Sequence, residues 1–316
     1  MKAKRFLHRC GLAFSTIAAI CGGLWGYTHW RIRRAEARYP PAGDFVTVDE
    51  VRMHYVRQGE GLPVVLIHGD GGSVYDWTMS IFDMLTQHYD VIAFDRPGLG
   101  YSERPPHGAS PFAQARLLHD ATKALGITSP LLVGHSRGGN VALAYALTYP
   151  EAITGVVTLA AAPYGGTIAW HNRLLTLPVL GPLLAHTVYV PFGRRAVEAG
   201  LNVAFSPETT VPESYLEVYT AYELRPKQLL AHAEDQAYGA PITQAMAERY
   251  DELDVPLVIV HGTADRNVPV EQARRLHQVA PQSTLIEVPG AGHELMFLHQ
   301  KTVLEAIRYI LRCEQR

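Results

Sequence analysis

Cysteine is scarce: the 316-residue chain has three, Cys10, Cys21 and Cys313. Two lie in an apolar N-terminal stretch and the third near the C-terminus. The body between them can therefore hold neither a disulfide framework nor a Cys-x-x-Cys metal site, and the redox compartment stays open. An excess of one charge is also lacking. Lys and Arg number 28 against 30 Asp and Glu, a formal net charge of −2, which gives no reason to expect nucleic acid or an acidic partner. No His-Glu-x-x-His, glycine-rich phosphate loop or dinucleotide fingerprint occurs, so neither a metal nor a cofactor is expected. Internal repeats and low-complexity tracts are missing as well. With 47% apolar and 18% charged residues, the chain can bury a generous core, in one large domain or two small ones.

One long uncharged run is present. Lys2, Lys4, Arg5 and Arg9 precede the 19 residues Cys10–Thr28, and Arg31, Arg33, Arg34 and Arg38 follow. As a helix this run spans roughly 28 Å, about one bilayer core. Trp25, Tyr27 and Trp30 sit where an interfacial aromatic belt would be. Three readings stand: an uncleaved single-pass anchor, a signal peptide with Ala35-Glu36-Ala37 as its small-x-small site, or an ordinary helix. Residues 1–38 are taken as the basic segment and membrane anchor (or signal peptide), with an exported body slightly favoured. Tyr39-Pro40-Pro41-Ala42-Gly43 reads as a stiff linker.

From Phe45 onward, short apolar strands alternate with helical stretches. Phe45–Val48 and Val51–Val56 read as a hairpin around Asp49-Glu50. Further strands are expected at Val64–Ile67, Val91–Phe94, Leu131–Val133, Val156–Leu159, Leu257–Val260 and Thr284–Val288. Helices are expected over Tyr75–Gln87, Pro111–Leu125, Val141–Thr148 and Lys301–Leu311. The pattern predicts an α/β fold with a mostly parallel, doubly wound sheet covered on both faces. Residues 163–251 break the alternation. They are rich in Pro, Tyr and Leu and lack a buried strand, which predicts an inserted helical cap between core segments 39–162 and 252–316. Pro178 and Pro182 suit short helices there.

The chemistry centres on Leu131–Asn140, LLVGHSRGGN. A strand ending in Gly134-His135-Ser136-Arg137-Gly138 is the G-x-S-x-G pattern of a sharp strand-to-helix turn that lifts a serine hydroxyl above the sheet edge. A serine hydroxyl needs a base to take its proton and a carboxylate to orient that base. Val258–Asp265 is a strand running into an acid, and Val288–His293 a strand running into a glycine-bracketed histidine. Both side chains leave the sheet where ligand sites form in open α/β sheets.

These residues resemble the α/β-hydrolase fold family over about Phe45–Leu311. The resemblance rests on HGDGGS (68–73), DRPGLGYSERP (95–105), GHSRGG (134–139), HGTADRNVP (261–269) and GAGH (290–293). It is strongest for the branch holding haloalkane dehalogenases, epoxide hydrolases, serine esterases and carbon–carbon hydrolases. It implies Ser136 as nucleophile, His293 as general base and later acid, and Asp265 as orienting carboxylate. The backbone N–H groups of Asp70 and Arg137 would form the oxyanion hole, provided that the Asp70 carboxylate points away from the oxyanion.

Other chemically tempting residues have simpler readings. His68 is expected to shape the loop below the oxyanion hole, His135 to pack beside the elbow, and His261 to hold the Asp265 loop. Asp95 and Arg96 brace loops, and Tyr215, Tyr219 and Tyr222 read as cap core. Asp76, Glu234, Asp235 and Glu294 are spare carboxylates. Within the resemblance, dehalogenases and epoxide hydrolases use an aspartate at the elbow, which Ser136 replaces. The expectation is therefore hydrolysis of a small-molecule carboxylic ester, small or lipophilic, through an acyl-serine. Alternatives are carbon–carbon bond hydrolysis, a proline iminopeptidase using Glu208, Glu213 or Glu217 to hold a free amine, and a non-catalytic membrane-bound binding module.

Overall fold

Eight strands form one sheet in the computed structural model of the chain, which describes residues 2–166, 168–208 and 210–313. They are β1 (Asp44–Val48), β2 (Val51–Gln58), β3 (Pro63–Ile67), β4 (Asp90–Phe94), β5 (Leu131–His135), β6 (Gly155–Leu159), β7 (Leu257–Gly262) and β8 (Thr284–Val288). Their spatial order is β1-β2-β4-β3-β5-β6-β7-β8. β2 runs antiparallel to both neighbours, and all other pairs are parallel. Asp49 and Glu50 close the β1–β2 hairpin with φ of 47° and 62°, the paired positive values of a tight two-residue turn. From β3 the chain moves outward to β4 and then returns to β5 on β3's other side. This reversal opens a crevice beyond the ends of β3 and β5.

Alternate residues of each central strand feed opposite faces. Val65, Ile67, Ile92, Phe94 and Leu132 pack with the helices Pro111–Ala124 and Arg137–Thr148. Val64, Leu66, Val91, Val133 and Val260 pack with Trp77, Phe82 and the C-terminal helix Gln300–Cys313. Both faces are buried, which is why these strands read as unbroken apolar runs. The last three residues of the expected 252–316 segment lie outside the described residues.

Two helices differ from expectation. Tyr75–Gln87 is two short helices, Tyr75–Thr78 and Phe82–Thr86. Between them the Ser80 hydroxyl donates to the carbonyls of Asp76 (2.5 Å) and Trp77 (3.2 Å), competing with the helical ladder. The elbow helix begins at Arg137 instead of Val141. Gly138 and Gly139 are poor helix formers but let its first turn press against the sheet.

Between β6 and β7 no strand occurs among the described residues. Pro178 falls between the helix Trp170–Leu175 and a helical stretch over Leu180–Phe192. Pro182, expected to interrupt as well, sits in the first turn of that stretch, where a proline fits. Between the two strands Leu201, Ala204, Phe205 and Tyr215 make one apolar cluster, and Leu175, Ala185, Leu229 and Ala233 another. The N-terminal helix is continuous over Lys2–Arg38 and is long and apolar enough from His8 onward to cross a membrane. Phe14 and Ile17 stand exposed at 76% and 61%. From Trp25 the same helix docks on the segment between β6 and β7. Trp25 stacks on His186 at 3.8 Å, and the Thr28 hydroxyl donates to the His186 carbonyl at 2.6 Å.

Two Gly→Ala substitutions should have opposite signs. A Cβ on Gly138 would overlap the backbone carbonyls of Ile67 and His68, while one on Gly200, mid-helix and exposed, meets nothing. Gly200→Ala should stabilise by about 0.5–1 kcal/mol, the usual helix-interior gain. Gly138→Ala should lower the urea midpoint. Equal behaviour of the two variants would mean that the elbow does not depend on this close approach.

Candidate active site

Ser136 sits at the turn from β5 into the elbow helix with φ 50° and ψ −120°, a backbone conformation disfavoured for a residue with a Cβ. The Ser136 N–H donates to the Leu159 carbonyl of β6 at 2.8 Å, which holds the turn to the sheet. A Cβ on Gly69 would come within 3.1 Å of the Ser136 Cβ, so the loop after β3 lies directly against the serine.

Asp265 follows β7 and His293 follows β8. The His293 Nδ1 donates to Asp265 Oδ2 at 2.7 Å, leaving Nε2 as the ring nitrogen able to accept a proton. Asp265 is turned and fixed by its own loop: Oδ1 accepts from the N–H groups of Asn267 (2.8 Å) and Val268 (2.9 Å). Burial alone would raise the Asp265 pKa, but hydrogen bonds from His261 and His293 hold it below the usual carboxylate range. Burial likewise favours neutral His293, and Asp265 overrides it to raise the pKa. The His135 ring lies 4.7 Å from the His293 ring, and its Nε2 donates to the His293 carbonyl at 3.2 Å. The chain thus brings Ser136, His293 and Asp265 to one sheet edge, with a hydrogen bond joining the last two.

The Asp70 carboxylate is turned onto the Arg137 guanidinium, accepting from Nε, and also accepts from Gln236 Nε2 at 2.6 Å. Burial would push its pKa up, but Arg137, His232 and Arg96 reverse the shift and keep it ionised. Its charge is therefore paired and directed at a side chain. The Asp70 carbonyl accepts from the Tyr219 hydroxyl at 3.2 Å. Tyr219, read from sequence as cap core, touches the loop beside the serine.

The remaining histidines and acids brace loops. His68 accepts from the Arg96 N–H at 2.9 Å and contacts the Gly69 carbonyl through Nδ1. Burial and Arg96 lower its pKa to about 4. His261 Nε2 donates to the Val268 carbonyl at 2.9 Å, and Asp95 receives the N–H groups of Val74 and Tyr101 and the ring of His54. Sequence reasoning missed a buried ion network. Asp235 accepts from Arg96 and Arg104, both at 2.8 Å, and Arg104 also meets Glu234 at 3.1 Å. His232 pairs with Glu223 at 2.6 Å and its pKa rises to about 9 despite burial, because of Glu223. It also missed that residues 204–208 brace the histidine loop: the Ala204 carbonyl accepts from the His293 N–H at 3.1 Å, and Glu208 from the Gly292 N–H at 2.7 Å.

Residues 63–300 match the family described as alpha/beta hydrolase fold. A 2-hydroxy-6-oxo-6-(2'-aminophenyl)hexa-2,4-dienoic acid hydrolase of Metapseudomonas resinovorans is 27% identical over 83% of this chain and 88% of its own length. Among solved structures, a thermophilic esterase from Thermogutta terrifontis superposes with a TM-score of 0.69 at 23% identity, covering 85% of this chain and 98% of that one. A membrane phospholipase A superposes with a TM-score of 0.66 at 20% identity over 99% of both chains. At these identities the two structures share the fold.

Glu294 provides a stability test. It is buried, its Oε2 has no partner among the described residues, and burial raises its pKa from 4.5 to about 7. Between those values the folded protein keeps a proton that the unfolded chain has released. The Glu294 contribution is thus full below about 4.5 and is lost as pH rises through about 7. Glu294→Gln should therefore gain thermal midpoint over the parent at about pH 8 and gain little at about pH 5. A midpoint difference independent of pH would contradict the raised pKa.

Proposed function

We propose that this chain, which belongs to the alpha/beta hydrolase fold family, is a serine hydrolase that cleaves neutral carboxylic esters through an acyl-serine. The observation that carries the reading is the His293–Asp265 hydrogen bond of 2.7 Å at the edge where Ser136 stands on its strained turn. In this mechanism His293 takes the Ser136 proton as the hydroxyl attacks the ester carbonyl, and Asp265 stabilises the imidazolium that forms. His293 then protonates the leaving alcohol, and a water activated in the same way frees the acid. The N–H groups of Asp70 and Arg137 receive the oxyanion, each donor contributing about 2.7–4 kcal/mol. The Asp70 carboxylate does not oppose that charge, since Arg137 pairs it.

The charge balance favours a neutral ester. The Metapseudomonas relative, by its name, acts on an acid, and the carbon–carbon reading would bring such a substrate here. An acid substrate calls for a spare cation, and three cations of the loops about the site are engaged: Arg137 by Asp70, Arg96 by Asp235, His232 by Glu223. The peptidase reading needs a free carboxylate. Glu208 is engaged by His299 and Gly292, and Glu217 pairs with Arg38 on the outer surface, which leaves Glu213, exposed in the first turn of its helix, as the one candidate of the three. A serine in place of the aspartate nucleophile supports the esterase side of the epoxide hydrolase-like branch. Residues 163–251 serve as the cap over this site, and the N-terminal helix as a single-pass anchor, which turns the preference toward lipophilic esters. The whole-length likeness to a membrane phospholipase A supports that preference.

Three measurements follow from this mechanism. A fluorophosphonate probe should label the parent and not Ser136→Ala, and p-nitrophenyl esters should be turned over by the parent alone; label retained in the variant would remove Ser136 from its role. Asp265→Asn should lower kcat by roughly 10⁴ through loss of the required tautomer. For the parent, kcat/KM should fall with decreasing pH through a value above 6.5, since His293 must be neutral to act as base and its pKa is raised. In Asp265→Asn that limb should move to lower pH. An unmoved limb would assign it to another group.

A further inference from the structure

A second site lies away from Ser136, where the N-terminal helix meets the segment between β6 and β7. Arg31, Arg34 and Arg38 follow one another at spacings of three and four and so share one helix face. Together with Arg194 and Arg225 they line a groove of about 490 Å³, in which Glu217 is the one acidic wall residue. Glu217 pairs with Arg38 at 2.6 Å and Glu198 draws Arg194 at 2.7 Å. Arg31 and Arg34 have no carboxylate partner among the described residues. Arg31 donates to the Val190 carbonyl at 3.2 Å, and the Arg34 guanidinium lies 5.4 Å over the Trp30 ring. Glu36 also meets Arg225 at 3.8 Å, so among the described residues the groove's unpaired positive charge lies on Arg31 and Arg34.

Its surroundings point to one kind of ligand. Tyr27 and Trp30 line the groove, and such side chains favour the headgroup level of a bilayer. Up the helix from Arg31, Ile20 and Ile17 are 58% and 61% exposed. Ile17 lies about 21 Å from Arg31 along the axis at about 1.5 Å per residue, the scale of an acyl chain. A guanidinium fork binds phosphate oxygens in pairs. We propose that this groove binds a phosphate anion, and that its source is the headgroup of an anionic phospholipid whose chains run along the N-terminal helix. The phosphate chemistry rests on the arginines alone, and the lipid source rests on the anchor reading.

The test uses the full chain in a non-ionic detergent, titrated with phosphatidylglycerol or phosphatidylcholine in the same detergent and followed by tryptophan fluorescence and thermal midpoint. Parallel arms use inorganic phosphate and glycerol 1-phosphate. Phosphatidylglycerol should bind roughly tenfold or more tightly than phosphatidylcholine. Arg31→Gln/Arg34→Gln should erase that preference, and the charge-matched Arg173→Gln/Arg308→Gln should keep it. Equal affinity for the two lipids, or equal loss in both double variants, overturns the site. If inorganic phosphate reproduces the full effect and the lipid adds nothing, the lipid source is overturned. Ser136→Ala should retain the phosphatidylglycerol preference, which separates failure of this site from failure of the hydrolase reading.

Discussion

The close approach of the elbow helix to β3 is the constraint on which the rest of the site depends. Cβ atoms at Gly134 and Gly138 would collide with neighbouring backbone, and one at Gly139 with Ala161. Only with those atoms missing can Ser136 turn at positive φ and keep its N–H on Leu159. Parallel register does the remainder. β3 pairs β5, β5 pairs β6, β6 pairs β7 and β7 pairs β8, so the loops carrying Asp70, Ser136, Asp265 and His293 all leave the sheet at one edge. Four loops far apart in sequence become one site because parallel strands end together.

Charge pairing then fixes what the backbone has assembled. In the proposed mechanism an aspartate beside a developing oxyanion would oppose it, and Arg137, the residue after Ser136, pairs that charge. The Asp70–Arg137 pair is joined from above by Gln236 and flanked by Arg96, itself held by Asp235. Buried ion pairs add little net stability, because desolvation offsets attraction. Their consequence here is geometric: they lock the segment Glu234–Gln236 over the loop after β3. The same pairing engages Arg137, Arg96 and His232, which is the charge argument for the neutral substrate proposed above.

The parts legible in the sequence were those with a local signature. Strands such as Val64–Ile67 and Val91–Phe94 were visible because both their faces are buried, and the Asp49–Glu50 turn because it separates two alternating runs. The place of Ser136, Asp265 and His293 just past three strand ends was legible, since each lies in a glycine-marked loop, while their roles belong to the proposal. What escaped depends on partners distant in sequence. Asp235 looked like a spare carboxylate, and nothing near it announces Arg96, 139 residues away. Tyr219 has helical spacing with Tyr215 and Tyr222 and reads as core, yet its hydroxyl reaches Asp70. The break at Met79–Ile81 coincides with the Ser80 hydroxyl's bonds to the Asp76 and Trp77 carbonyls, which no periodicity encodes.

The helix Glu213–Glu223 links the two ends of the molecule's chemistry. Tyr215 and Tyr219 reach Asp76 and the Asp70 carbonyl on the site side. Glu217, Thr220 and Ala221 line the arginine groove on the other. One helix, about 10 Å across, is thus a wall of both. The N-terminal helix grips this wall through Arg38–Glu217 and holds Tyr39 under the hydroxyls of Tyr101 and Tyr222. A ligand changes an equilibrium only by binding two arrangements unequally. The phosphate proposed between Arg31 and Arg34 would lie in the groove that Glu217, Thr220 and Ala221 also line, so contact with both walls would oppose a motion that parts them. On the membrane reading, the lipid surface would then bear on the segment between β6 and β7, and through Tyr219 on the loop expected to carry the oxyanion.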